Sequence, residues 1–194
     1  MTLTEYYSEF MQDIYARAGA EKDFCGVVFS ERMCEYLMDQ AIIEQYAQVG
    51  FKKSTRGVKV DAWSYNPDTE VMHLFIADYR ANKSMEHIAQ TEVTKNFKKV
   101  EKFFMKSIEP GFHSSLEETE PGYALSREIY EKRDSISVIN IVLLSNASLS
   151  SRVGAINDGK LKSYNITYDV WDISRLWRID SSKNVKEDII IDFK

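Results

Sequence analysis

The chain has 194 residues, 44% of them apolar and 28% charged, with a formal net charge of -5. That length suits one domain with a real core and is short for two. The composition is that of an ordinary globular protein, and the acidic balance argues against a wholly basic nucleic-acid binder while leaving local basic patches open.

Cys25 and Cys34 are the only cysteines and form no CxxC pair, and His73, His87 and His113 are scattered. A structural zinc site is therefore not expected, and two unpatterned cysteines suit a reducing cytosol. The N-terminus lacks the charged-then-apolar profile of a signal peptide, and no apolar run approaches membrane length. The expectation is a cytoplasmic protein that does not enter the membrane.

In chain order, Thr4 is placed to cap a helix running to about residue 18. Asp23 or Ser30 then opens a second helix to about residue 48, with Phe29, Met33, Tyr36, Leu37, Ile43 and Tyr46 at helical spacings and Gly50 as its stop. Two strands follow, over 56–65 and 71–80, and the turn chemistry of Asn66-Pro67-Asp68-Thr69 makes them a hairpin. A long helix is predicted over 84–107, where Met85, Ile88, Ala89, Val93, Phe97, Val100 and Phe104 recur every three or four residues. Glu109-Pro110-Gly111 stops it, and another helix spans 123–133. The apolar run that ends the 135–145 segment marks a strand buried on both faces. A loop over 146–160, a strand over 164–170, a short helix capped by Asp172 and a last strand over 188–193 complete the chain. This order predicts an α/β fold, a mixed central sheet flanked by helices, in a single domain over 1–194.

Asp61 and Asp78 lie on the two strands of the hairpin, so their carboxylates come within reach of one another. Two carboxylates held close repel unless a proton or a cation lies between them. Strand alternation puts Asp78 and Arg80 on one face behind Met72, Leu74 and Ile76, and puts Lys59, Asp61 and Trp63 together on the partner strand. Paired acids with a nearby cation are the parts of metal-assisted phosphodiester hydrolysis, with Asp61 and Asp78 as ligands of Mg²⁺ or Mn²⁺. The plainer alternative is a strand-end acid that pairs with Arg80 or Lys83.

Glu35 is a third acid, one helical turn after Glu31, although such helical pairs are usually solvated. Lys95, Lys98, Lys99, Lys102 and Lys106 fall on or near the face of the long helix opposite its apolar stripe. They are either a phosphate-binding stripe or a solvated helix back that Glu101 interrupts. The loop over 145–152 holds serines without a partner base, so a serine nucleophile is not expected. Trp171 and Trp177 read as core residues rather than base-stacking platforms.

The succession "RGVKVDAW", "LFIADYR", "TEVTKNFKKVEKF", "LLSNASLSSR" and "ITYDVWDISRLWR" resembles the N-terminal region of the abortive infection phage resistance (AIPR) family. The similarity runs from about Phe24 to Phe193. Because family members are typically longer, the resemblance implies the N-terminal part of a larger protein with a role in phage defence. The element order also looks like the restriction-endonuclease-like core, whose PD-(D/E)XK pattern places an acid on one strand and acid-x-lysine on the next. Under that resemblance Asp61 is the first acid, Asp78-Tyr79-Arg80 stands where acid-x-lysine belongs, and Glu35 matches the acid of the preceding helix. Arg80 departs from the pattern, since a guanidinium cannot accept a proton from water, and Lys59 or Lys83 would supply the missing amine. The expectation is a nuclease-like domain acting on DNA or RNA, with Lys95, Lys98, Lys99 and Lys102 on its phosphates and a homodimer for duplex substrates. The alternative is a catalytically degenerate nucleic-acid-binding or protein-interaction module that regulates a C-terminal region.

Overall fold

The computed structural model describes residues 1–154 and 156–187. Its elements in chain order are α1 (Leu3–Glu21), α2 (Cys25–Asp39), β1 (Ala47–Lys53), β2 (Val58–Asn66), β3 (Val71–Asp78), β4 (His87–Ile88), α3 (Gln90–Ser107), α4 (Pro121–Lys132), β5 (Val138–Ser145), β6 (Ser148–Leu149), β7 (Gly159–Leu161), β8 (Tyr164–Asp172) and α5 (Ile173–Glu187). Six strands form one mixed sheet in the order β1-β2-β3-β5-β8-β7. The β1-β2-β3 meander is antiparallel, β3, β5 and β8 run parallel, and β7 closes the far edge antiparallel to β8. The α/β expectation holds. The strand expected over 188–193 lies outside the described residues.

Both faces of the sheet are covered, which is what a parallel centre requires. β5 shows why. Ile139, Ile141 and Leu143 pack into one core, with α3 and α4, while Val142 and Leu144 pack into the other, with α1, α2 and α5. The α3 stripe read from the sequence is real from Val93 onward: Val93, Phe97, Val100 and Phe104 are all buried. Full burial of each such side chain stabilises the fold by about 1.5–3 kcal/mol.

The helix expected to be short after Asp172 is the 15-residue α5, and the loop expected over 146–160 contains β6 and the start of β7. Three further boundaries differ for a direct physical reason. Thr2, not Thr4, caps α1, because Thr2 and Glu5 bond reciprocally to one another's backbone N–H groups. The second helix stops at Asp39, where Ala41 turns into the left-handed region at φ 54°, and residues 47–53 become an edge strand instead. Gly50 does not end a helix. It takes φ +57° inside β1 where the β1–β2 register slips between Gln48 and Phe51, so its freedom serves a bulge. The third difference lies before α3: residues 84–89 are not helical, because His87 and Ile88 pair in parallel with Ser148 and Leu149. Glu92 then starts the helix by accepting the Ala89 N–H at 3.0 Å.

Candidate functional site

β2 and β3 pair in regular register from Asn66–Val71 to Ala62–Phe75, and then part. The side-chain alternation of β2 breaks at the same place. Val58 and Val60 pack into the core under α3, Ala62 packs into the opposite core, and Trp63 and Tyr65 return to the first. Lys59, Asp61 and Trp63 therefore do not form the continuous face that simple alternation predicts.

Beyond the break, side chains take over the strand ladder. The Ala77 N–H donates to Oδ2 of Asp61 at 2.7 Å, and the Lys59 ammonium donates to the Ala77 carbonyl at 2.6 Å. The same ammonium lies 3.0 Å from Oδ2 of Asp61. A carboxylate and an amine thus satisfy backbone groups that a neighbouring strand would otherwise pair.

This parting opens a cavity of about 820 Å³. Asp61 and Asp78 both line it, together with Lys52, Lys59 and Lys99. Ser30 and Gln48 form one wall, Asn96 contributes from α3, and Phe24 stands at the start of α2. Asp61, Asp78 and Lys59 thus share one lining, although the β2–β3 pairing itself ends at Ala62–Phe75. Lys52 and Asn96 were not foreseen: Lys52 lay on a strand that the sequence reading had not recognised.

Asp78 ends β3 at the carboxyl edge of the parallel strands, where open α/β sheets place their sites. Its Oδ2 accepts from Nε of Arg80 at 3.0 Å and from the Ser145 hydroxyl at 3.2 Å. Arg80 also reaches Glu86 at 2.8 Å and Glu92 at 2.9 Å, so one guanidinium, its side chain only 16% exposed, gathers three carboxylates. Asn146 fixes the Arg80 backbone from both sides, accepting its N–H at 2.9 Å and donating to its carbonyl at 2.8 Å. Ser145 and Asn146 follow the apolar run of β5, and that position at a central strand's end was the signal for them.

Glu35 is not brought to the cavity. It pairs with Arg17 at 2.9 Å and lies 3.7 Å from Arg32, between α1 and α2. Residues Phe24, Gly26, Val27 and Ser30 are the part of α2 and its cap that faces the cavity.

Lys95, Lys98, Lys99 and Lys102 line a second, shallower groove of about 710 Å³ beside Gly57. Glu101 does not interrupt them; it turns away to accept from the Tyr168 hydroxyl at 2.9 Å. Lys99 belongs to both the groove and the cavity. Burial lowers its pKa, and repulsion from Lys59, Lys95 and Lys52 lowers it further. Lys99 is thus the side chain that the groove and the cavity share, and it donates to Oδ1 of Asn96 at 2.7 Å.

The cavity holds oxygen donors that would suit a hard divalent cation, although the Lys59 ammonium engages the Ala77 carbonyl and Oδ2 of Asp61. Asp61, Asp78 and the Ala77 carbonyl are oxygen donors of the kind Mg²⁺ takes. Oδ1 of each aspartate accepts no hydrogen bond among the described residues. No group of three or more His, Cys, Asp or Glu side chains suited to a metal lies among the described residues. An ion held here would complete its shell with backbone oxygen, water or phosphate, as Mg²⁺ commonly does.

The family model described as the abortive infection phage resistance protein N-terminal domain matches residues 29–178. The chain belongs to that family. No curated protein and no solved structure matches it significantly. Within this AIPR N-terminal domain, both aspartates and every lysine of the cavity and groove fall inside the matched stretch, whereas Phe24, Gly26 and Val27 precede it. No described helix is long and apolar enough to cross a membrane.

Proposed function

We propose that this AIPR N-terminal domain is a nuclease-like module of a phage-defence protein, hydrolysing phosphodiesters at the cavity between β2 and β3. The observation that carries the reading is the shared lining: two strand-borne carboxylates and three lysines on one cavity, which shares Lys99 with a lysine groove. The order α2, β1, β2, β3, α3, β5, with the acids on β2 and β3, supports it as the order expected of a restriction-endonuclease-like core.

Asp61 and Asp78 would hold Mg²⁺ or Mn²⁺. When bound, such an ion would polarise a phosphoryl oxygen and lower the pKa of water. The protein's own groups do the rest. Lys52 and Lys99 draw phosphates in from the groove, where Lys95, Lys98 and Lys102 supply affinity without reading bases. Arg80 does not act on water: its guanidinium is engaged by Asp78, Glu86 and Glu92, and it holds Asp78 in place. Lys59 is the amine placed beside Asp61, where it offsets charge developing on a phosphate.

One observation favours a second reading. The Lys59 ammonium already contacts both Asp61 and the Ala77 carbonyl, so it occupies two of the oxygens that a metal would use. A module of that kind would bind nucleic acid or a partner without cleaving.

Incubation of the full chain with end-labelled DNA and RNA, with and without Mg²⁺ or Mn²⁺, separates the two. The nuclease reading expects metal-dependent fragments that Asp61→Asn and Asp78→Asn each abolish while the fold persists. Retention of both nucleic acids uncut, with binding intact, would favour the degenerate module.

A further inference from the structure

Phe24 is the most exposed of the large apolar side chains described, at 82%, and it stands on the lining of the cavity that holds Asp61 and Asp78. Large apolar rings are normally drawn into the core, as Phe29 is five residues later at 0%. A single exposed ring needs no explanation by itself. Two further facts make this one unusual.

The first is that its backbone is pinned. Phe24 is the N-cap of α2, in extended geometry at φ -76° and ψ 133°. Its N–H donates to the Asp23 carboxylate at 2.6 Å, and its carbonyl accepts from Val27 at 2.9 Å and Val28 at 3.2 Å. The ring is therefore presented from a rigid base. A rigid platform loses little conformational entropy when something packs against it.

The second is the chemistry of the rest of the lining. The same cavity carries Lys52, Lys59 and Lys99, with no other exposed aromatic among its lining residues. A flat apolar face beside a row of cations is what an unpaired nucleotide requires: a surface for its base and charge for its phosphate. A protein partner would need more exposed apolar surface than one ring, and the other apolar residues of the lining, Val27, Val49, Ala77 and Tyr79, are buried or half-buried.

We propose that Phe24 stacks an unpaired base at the mouth of the cavity, so that the site takes single-stranded rather than fully paired nucleic acid. The inference rests on the nuclease-like reading of the same cavity and names its substrate class. In a duplex each base face is covered by its neighbours, so only an unpaired or terminal base can lie on the ring. The lysines keep the backbone in the groove while the stacked base fixes which phosphate reaches Asp61 and Asp78. Stacking is tolerant of base identity, so little sequence preference is expected. Because Phe24 precedes the stretch that the family model matches, this feature is read from this chain alone.

The test is fluorescence anisotropy of the full chain with one labelled mixed-sequence oligonucleotide, as a single strand and as a blunt duplex long enough that its two ends are a small fraction of the sites it offers, in EDTA to prevent cleavage. The proposal expects tighter binding of the single strand. Phe24→Ala should weaken that binding about 5- to 100-fold with little effect on the duplex, and Phe24→Trp should restore it. The salt dependence of binding should stay unchanged in both variants, because no phosphate contact is lost. Thermal melting of each variant checks that the fold is intact, as expected for an exposed ring.

Equal single-strand affinity in Phe24→Ala and wild type would overturn the proposal, as would equal weakening of both forms. Loss of self-association in Phe24→Ala, measured by sedimentation, without loss of single-strand binding would assign the ring to a protein contact and overturn it too. In each of those cases metal-dependent cleavage by the wild type would leave the nuclease-like reading standing. Absence of binding to either form by the wild type would remove both.

Discussion

The carboxylate of Asp61 accepts the backbone N–H of Ala77 at 2.7 Å, across the point where β2 leaves β3. The side chain thereby does two jobs: it completes the hydrogen bonding of β3, and it faces the cavity. Asp61→Ala would strand the Ala77 N–H and unpair Lys59, at a cost of about 1–3 kcal/mol. Asp61→Asn keeps an acceptor for that N–H and should lose less stability. Urea midpoints of the two variants, compared with wild type, check the order. This difference makes the asparagine, not the alanine, the proper probe of metal binding.

Arg80 is the other fixed point. Arg80→Ala leaves Asp78, Glu86 and Glu92 facing one another without a cation. The expected loss is about 2 kcal/mol, less than for a fully buried pair, because Glu86 and Glu92 stay partly in solvent. Hydrogen exchange should quicken over residues 78–92, since Arg80 ties the end of β3 to the start of α3. Unchanged exchange there would remove the positioning role assigned to Arg80.

These two sites show what the sequence made legible and where it stopped. The apolar run of β5, the turn at residues 66–69 and the α3 stripe state their own periodicity, so the sheet centre and its covering helix could be read locally. β1 was missed although Ala47, Val49 and Phe51 alternate as a strand does, because Ile43 and Tyr46 just before it prolong the helical spacing of α2. Gly50 misled as well: positive φ serves a helix stop and a strand bulge alike. Asp61 and Asp78 were legible as candidates because a hairpin brings them together. The break in alternation at Asp61 was not, since it depends on how β2 and β3 part. Glu35 looked suitable by its position in the chain, but Arg17 and Arg32 pair with it away from the cavity.

His73 should make stability depend on pH. It packs within the sheet, with Nδ1 3.1 Å from Nδ2 of Asn140, and burial lowers its pKa below the usual 6.5, with Asp169 opposing. As pH falls below 6.5 the unfolded chain binds a proton before the folded one does, so stability declines from there downward. Above that value both forms are neutral and the residue contributes no slope. Each pKa unit of depression is worth about 1.4 kcal/mol. Urea unfolding at pH 7.5 and 5.5 should show the decline, and His73→Gln should make it smaller. An identical decline in the variant would assign it to other groups.

The lysine groove predicts salt-sensitive binding of nucleic acid. Lys95→Gln, Lys98→Gln and Lys102→Gln should each weaken affinity and reduce the slope of log K against log salt by about 0.7–0.9, single strand to duplex. Lys99→Gln should do the same and also slow cleavage, because Lys99 lies on both the groove and the cavity. Binding that ignores all four substitutions would place the nucleic acid elsewhere.

The most direct measurement is calorimetric titration of the full chain with Mn²⁺, beside the Asp61→Asn/Asp78→Asn double variant. It is repeated with a phosphorothioate-substituted single strand, chosen to resist cleavage, already bound. The account predicts saturable binding by the wild type, strengthened by the strand and lost in a double variant that melts normally. A folded wild type that takes up no metal, alone or with the strand, would contradict it.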